Sequence, residues 1–230
     1  MSLFNNLFKK TEKQYSEEGD HFQVIGQYAE AVASYEKAIA INPNDAVTWN
    51  HRGNALYLLG RYPEAITSYG KALAINPNDA VTWNNHGILL SKLGRHAEAI
   101  GSFDKALALN PDEAGTWSDR GISLISLGRH TEAVNSFDKV LGINANDATG
   151  WHYRGNALHL FGRYPDAINS YRKILDINPN DAVTWTNRGI SLEKFGLYAE
   201  ALASYDKALA IKPDYLIAQK NRKILLQRQE

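Results

Sequence analysis

AVTWNHRGNALYLLGRYPEAITSYGKALAINPND, residues 46–79, returns as AVTWNNHGILLSKLGRHAEAIGSFDKALALNPDE at 80–113 and as ATGWHYRGNALHLFGRYPDAINSYRKILDINPND at 148–181. The period is 34 residues, and starts at 12, 46, 80, 114, 148 and 182 give six units: 12–45, 46–79, 80–113, 114–147, 148–181 and 182–215. Residues 1–11 precede the series and 216–230 follow it. Self-similarity at such a period means that small units stack in series, which excludes a compact two-domain reading of the 230 residues.

Each unit breaks into two helices. Asp45, Asp79, Asp147 and Asp181 stand just before the first helix, where a short carboxylate accepts orphan backbone N–H groups and meets the positive end of the dipole. Gly26, Gly60, Gly94, Gly128, Gly162 and Gly196 fall where a first helix ends in a left-handed residue. The second helix opens on Pro63-Glu64 or Pro165-Asp166 in two units and on Ala-Glu or Thr-Glu in the others, with proline expected at the first helical position. Lys37, Lys71, Lys105, Lys139, Lys173 and Lys207 are expected in the last turn, opposing the negative end of the dipole before Asn-Pro stops the helix.

A second glycine column, Gly19, Gly53, Gly87, Gly121, Gly155 and Gly189, lies mid-helix, where glycine costs about 1 kcal/mol relative to alanine. A close helix–helix approach is the expected compensation, with Ala31, Ala65, Ala99, Ala133, Ala167 and Ala201 as the small residues opposite and Tyr35, Tyr69, Phe103, Phe137, Tyr171 and Tyr205 filling the space between. With Trp at repeat position 4, Gly at 8 and 15, Ala at 20, an aromatic residue at 24 and Pro at 32, residues 12–215 resemble the tetratricopeptide repeat family, in the form common in microbial arrays. The resemblance implies an all-α, right-handed superhelical solenoid of six helix-turn-helix units, first helices lining a concave groove and second helices forming the back.

Residues 216–230 read as a C-terminal capping helix, because Gln219 replaces the tryptophan and Lys223 replaces the mid-helix glycine. Leu216, Ile217, Ile224 and Leu225 are expected to cover the last unit while Lys220, Arg222, Lys223 and Arg228 face water. Units two and five share RGNAL and GRYP, an offset of 102 residues that suggests duplication of a three-unit block.

The 25 Lys+Arg and 25 Asp+Glu give no net charge, which argues against nucleic acid as the partner. There is no cysteine, hence no disulfide framework and no thiolate metal site, and a cytoplasmic location is expected. No run of about 18 apolar residues occurs, so no membrane span is expected. Phosphate-cradling loops, nucleophile elbows, paired-histidine helices and calcium loops are all missing, so the expectation is a protein without catalysis, cofactor or metal. His152 and His159 stand two helical turns apart, about 10 Å, too far to share one ion.

The resemblance places ligand contacts at positions 2, 5, 9, 12 and 13 of each first helix, and helical periodicity puts these on one face. Here that face carries Asn50, Asn54 and Tyr57; Asn84, Ile88 and Ser91; Ser118, Ile122 and Ile125; His152, Asn156 and His159; and Thr186, Ile190 and Glu193. Asparagine both donates to and accepts from a peptide backbone, and Ile88, Ile122 and Ile190 recur at one position as apolar contacts. The expected function is therefore a non-catalytic scaffold that binds a peptide segment of a protein partner in the groove.

The branch of the family that clamps chaperone-tail carboxylates uses a basic pair on its third first helix. Gly115 and Asp119 occupy those places here, which argues against that clamp. Self-association through the ends, with Leu3, Phe4, Leu7 and Phe8 docking in a neighbour, is the alternative. The arginines at position 7, Arg52, Arg120, Arg154 and Arg188, are expected to ladder with acidic residues between repeats. His96 and His130 replace a recurrent tyrosine at an aromatic packing position.

Overall fold

The computed structural model describes residues 10–228, which form thirteen α-helices and no strand. They group into two compact units, Met1–Pro111 and Asp112–Glu230. The first holds α1 (Glu12–Val24), α2 (Tyr28–Ile41), α3 (Ala46–Leu58), α4 (Tyr62–Ile75), α5 (Ala80–Lys92) and α6 (His96–Leu109). The second holds α7 (Ala114–Ser126), α8 (His130–Ile143), α9 (Ala148–Leu160), α10 (Tyr164–Ile177), α11 (Ala182–Phe195), α12 (Tyr198–Ile211) and α13 (Leu216–Gln227). This is a helical-repeat solenoid. The division falls beside the end of the third repeat, so each unit contains three helix pairs, the span of the 102-residue internal repetition.

Local signals explain the helix ends. Asp45, Asp79 and Asp181 each accept from two backbone N–H groups of the following helix, and Asp147 accepts from Gly150. Glu113 precedes α7 and makes no such bond, its side chain being one methylene longer. The six terminal glycines all have φ between 72° and 90°, the left-handed region open to glycine at no steric cost. Pro63 and Pro165 fall second in their helices, one place later than expected, because Tyr62 and Tyr164 begin α4 and α10. The lysine column is likewise displaced from the last turn. Each second helix runs four residues past its lysine, to Ile41, Ile75, Leu109, Ile143, Ile177 or Ile211, and the turns after α2, α4, α8 and α10 close on Asn42, Asn76, Asn144 and Asn178, each of which accepts from the backbone N–H two residues on.

The mid-helix glycines make room for a ring and not for a backbone. A Cβ on Gly53 would stand 2.6 Å from Cε1 of Tyr69, and one on Gly87 2.6 Å from Cε1 of Phe103. Tyr35, Tyr69, Phe103, Phe137, Tyr171 and Tyr205 are all buried, each beside the alanine of its own second helix. Packing then continues from each pair to the next within the unit.

One column pins neighbouring elements. The indole N–H groups of Trp49, Trp83 and Trp185 donate to the carbonyls of Pro43, Pro77 and Pro179 at 2.9, 2.9 and 2.8 Å. In α13, Gln219 Nε2 makes the same bond to the Pro213 carbonyl at 2.7 Å, so a shorter amide does the work of the tryptophan. The face of α13 that packs is Ala218 and Leu225; Leu216 and Ile217, expected to cover the last repeat, are 74% and 51% exposed. They sit at the helix start, turned away from α12 by the same 100° steps that turn Ala218 toward it. Leu3, Phe4, Leu7 and Phe8 lie outside the described residues.

Candidate functional site

The first helices of each unit carry a pocket at equivalent places. In the first unit a pocket of about 410 Å³ is lined by Gln23, Asn54, Tyr57, Leu58, Tyr69, Asn85 and Ile88. In the second, one of about 290 Å³ is lined by Ile122, Ile125, Ser126, Tyr153, Asn156, His159 and Leu160. Seven residues expected in the groove meet there: Asn54, Tyr57 and Ile88 in one, Ile122, Ile125, Asn156 and His159 in the other.

The asparagines are held by their neighbours. Asn54 Oδ1 accepts from the Tyr69 hydroxyl at 2.8 Å and from Asn85 Nδ2 at 3.2 Å, while Asn54 Nδ2 donates to Asn50 Oδ1 at 3.2 Å. Asn156 Oδ1 accepts from the Tyr171 hydroxyl at 2.8 Å, which turns its amide toward His152 Nε2 at 3.0 Å. His152 Nε2 therefore presents its lone pair to the amide. Burial pushes the Tyr69 and Tyr171 hydroxyls well above the ordinary phenol range, so both remain donors.

His159 occupies the place of Tyr57 in the second pocket. Ser191 gives its own proton to the Asn187 carbonyl, so its oxygen accepts from His159 Nδ1–H at 2.9 Å. The other ring nitrogen keeps its lone pair. Burial first, and the Lys194 charge second, hold the His159 imidazole below the ordinary range; burial does the same at His152 against the pull of Asp181. Both rings are neutral near pH 7. At the rim of the first pocket the Lys92 ammonium lies 4.8 Å from the Tyr57 ring centre and 5.0 Å from that of Tyr62.

The remaining expected contacts sit elsewhere. Asn50 is buried and donates to Thr82 Oγ1 at 2.6 Å, so its amide ties adjacent repeats together instead of facing the groove. Thr186 is 1% exposed and returns its hydroxyl to the Ala182 carbonyl; neither residue presents a free group to a peptide. Glu193 accepts from the Tyr205 hydroxyl and from Arg228. Ile190 packs beside the core around Leu192 and Tyr205. Ser91 lies 3.4 Å from His96 Nδ1. Asn84 and Ser118 are half-buried and line neither pocket. His152 lines a third pocket, of about 280 Å³, with Tyr153, Asp181 and Thr184. His130, at the aromatic packing position, has a buried Nδ1 with no hydrogen-bond partner.

Sequence reasoning passed over several lining residues. Leu58 and Leu160, at position 13, are 50% and 55% exposed and form the apolar wall. Asn85 and Tyr153 come from position 6, adjacent in sequence to the face named but brought round by the next repeat. Position 13 was on the periodic face, and that was the available signal. Two of the position-7 arginines ladder between repeats: Arg52 meets Glu36 at 2.7 Å and Arg154 meets Asp138 at 2.6 Å, each also donating to a buried serine, Ser68 or Ser170, whereas Arg188 reaches Glu200 of its own repeat at 4.0 Å. Among the described residues no three His, Asp or Glu side chains gather as metal ligands, and no helix is long and apolar enough to cross a membrane.

Repeated helix pairs with amide-lined apolar pockets on their first helices define a helical-repeat interaction scaffold. The chain belongs to the tetratricopeptide repeat family: family profiles described as TPR repeat or tetratricopeptide repeat match residues 19–60 and 53–94, 84–150 and 118–182, and 182–215. Among solved structures it is similar to YrrB, described as a TPR protein with an unusual peptide-binding site, at 24% identity and a TM-score of 0.74 over 82% of this chain and 97% of that one. It is similar to PilW, a type IV pilus biogenesis factor, at 22% identity and a TM-score of 0.69 over 91% and 97%. MamA from Desulfovibrio magneticus RS-1 is similar at 19% identity and a TM-score of 0.68 over 74% and 97%. At these identities the likeness is one of fold. No curated protein matches the chain.

Proposed function

We propose that the chain works without catalysis, holding a peptide segment of a partner protein on its first helices, and that the two equivalent pockets are the anchor sites. One observation carries this reading. At an offset of 102 residues the same repeat positions line both pockets: Asn54 with Asn156, Tyr57 with His159 and Leu58 with Leu160. A half-exposed leucine backed by an amide and a ring offers apolar surface for a side chain and a polar group for the adjacent backbone. Covering that surface is favourable by about 25 cal/mol per Å². The description of YrrB as a peptide-binding TPR protein supports the same reading.

Selection from a displayed random-peptide library on the immobilised full chain tests it. Binders should compete with one another for the chain. Leu58→Asp and Leu160→Asp, both at exposed positions, should each weaken binding by at least about tenfold, or 1.4 kcal/mol. Unchanged binding in the double variant, with its helix content intact, refutes the reading.

A second reading, end-to-end self-association, has one observation behind it. Helix α1 carries Glu12, Glu17, Glu18 and Asp20 against a single Lys13, whereas α13 carries Lys220, Arg222 and Lys223 and no acid. A mass by light scattering that is independent of concentration at low ionic strength would remove it.

A further inference from the structure

The inter-repeat ladder is broken at one joint of the second unit. Where a second helix meets the next first helix, a carboxylate at repeat position 25 takes the arginine at position 7: Asp138 takes Arg154 at 2.6 Å, and Asp206 takes Arg222 at 2.5 Å. At the joint of α10 and α11 position 25 is Arg172. At this joint, then, an arginine stands at the repeat position from which a carboxylate reaches the next first helix at the equivalent joints. Arg172 has turned to Asn169, donating to its Oδ1 at 2.8 Å. Arg188 keeps the serine bond of its column, to Ser204 at 2.6 Å, and its place over the Trp185 ring.

The nearest acid, Glu200, reaches only 4.0 Å from Arg188. Burial holds the Arg188 guanidinium below its ordinary range; the pull of Glu200 opposes it and is larger than the push of the nearby Arg172 charge. Neither Arg172 nor Arg188 lines any of the pockets described above.

We propose that the α10–α11 joint is a docking site for the carboxylate of an acidic side chain on a partner protein. The fold already seats a carboxylate on the position-7 arginine at two joints, with its own Asp138 and Asp206, and here Arg172 brings a second set of guanidinium donors to the joint. An incoming carboxylate would relieve the Arg172–Arg188 repulsion and supply the missing rung. This site does not depend on the peptide pockets.

The test uses the full chain, with glutarate and inorganic phosphate as probes at constant ionic strength. Millimolar glutarate should raise the melting temperature and shift the side-chain Nε–H resonances of Arg172 and Arg188. Arg172→Asp, which restores the rung within the chain, should melt about 2 °C higher than the parent and lose the glutarate response. Arg172→Ala, which removes one cation without adding an acid, should also lose most of the response, so the outcome stands even where the aspartate variant misfolds. An equal glutarate response in the parent and the alanine variant overturns the proposal, as does an aspartate variant that folds with parental helix content and melts below the parent. A larger response to phosphate than to glutarate overturns the assignment to a carboxylate.

Discussion

Gly53 and Gly70 are both glycines in the middle of helices of one repeat, and their replacement by alanine should have opposite signs. A Cβ on Gly70 meets nothing within 4 Å, so Gly70→Ala gains only helix propensity, about 1 kcal/mol. A Cβ on Gly53 stands 2.6 and 2.7 Å from Cε1 and Cδ1 of Tyr69. That ring is 2% exposed and its hydroxyl is committed to Asn54, so it has no free direction in which to move. Overpacking of this kind costs about 1–3 kcal/mol, and losing the buried hydrogen bond adds about 1 kcal/mol. After subtracting the propensity gain, Gly53→Ala is destabilising by about 1–3 kcal/mol. The two variants should therefore differ by about 2–4 kcal/mol, or at least 4 °C in melting temperature for a chain of this size. Urea and thermal unfolding followed by far-ultraviolet circular dichroism measure the difference. Replacing Tyr69 by valine in the Gly53→Ala background should recover part of the loss, giving a non-zero coupling in the double-mutant cycle. A Gly53→Ala variant as stable as Gly70→Ala would refute the claim that this glycine exists to admit the ring.

Three further outcomes follow from other positions. Gly60→Ala should cost about 1 kcal/mol through the backbone alone, because φ is 76° with no atom near the added carbon; an unchanged denaturation midpoint refutes this. Glu113→Asp should stabilise α7 by about 0.5–1 kcal/mol by supplying the N-cap bond its helix lacks, and a midpoint that does not rise counts against it. Burial holds His86, His152 and His159 below the ordinary imidazole value of about 6.5, so folding favours the neutral rings and the unfolded chain binds protons first. Stability should be full above that value and fall as pH drops from it through the lower folded values; His159→Gln should flatten part of the slope in urea midpoints between about pH 7 and 5.5, and a variant with the parental slope would exclude His159 as a contributor.

Most of the helix boundaries were legible in the sequence because they are set by groups a few residues apart. An aspartate accepts N–H groups two and three positions on, and a glycine turns left at its own φ. The glycine recurs six times and the aspartate four at the same spacing, so chance agreement is removed by repetition. The lysine column shows the limit of such reading: its type and spacing were clear, yet helix length depended on where the following asparagine turn closed.

The candidate site divided along the same line. Helical periodicity put Asn50, Asn54, Tyr57, Asn156, His159 and Thr186 on one face, which is a property of the chain's own 100° step. For three of them the group left available was decided by partners 31 or 32 residues away: Thr82 takes Asn50, Asn85 takes Asn54, and Ser191 takes His159 Nδ1. Leu58 and Leu160 became pocket walls because the next repeat brings Ile88 beside one and because Ile122 and Ile125 stand beside the other. The sequence alone thus determined the repeat, its two helices and the face they share, since local hydrogen bonds and covalent geometry act over a few residues. Only the tertiary structure decided which polar groups are spent between repeats, which leucines stay uncovered and where the arginine ladder lacks its acid, because each depends on what the neighbouring repeat places opposite.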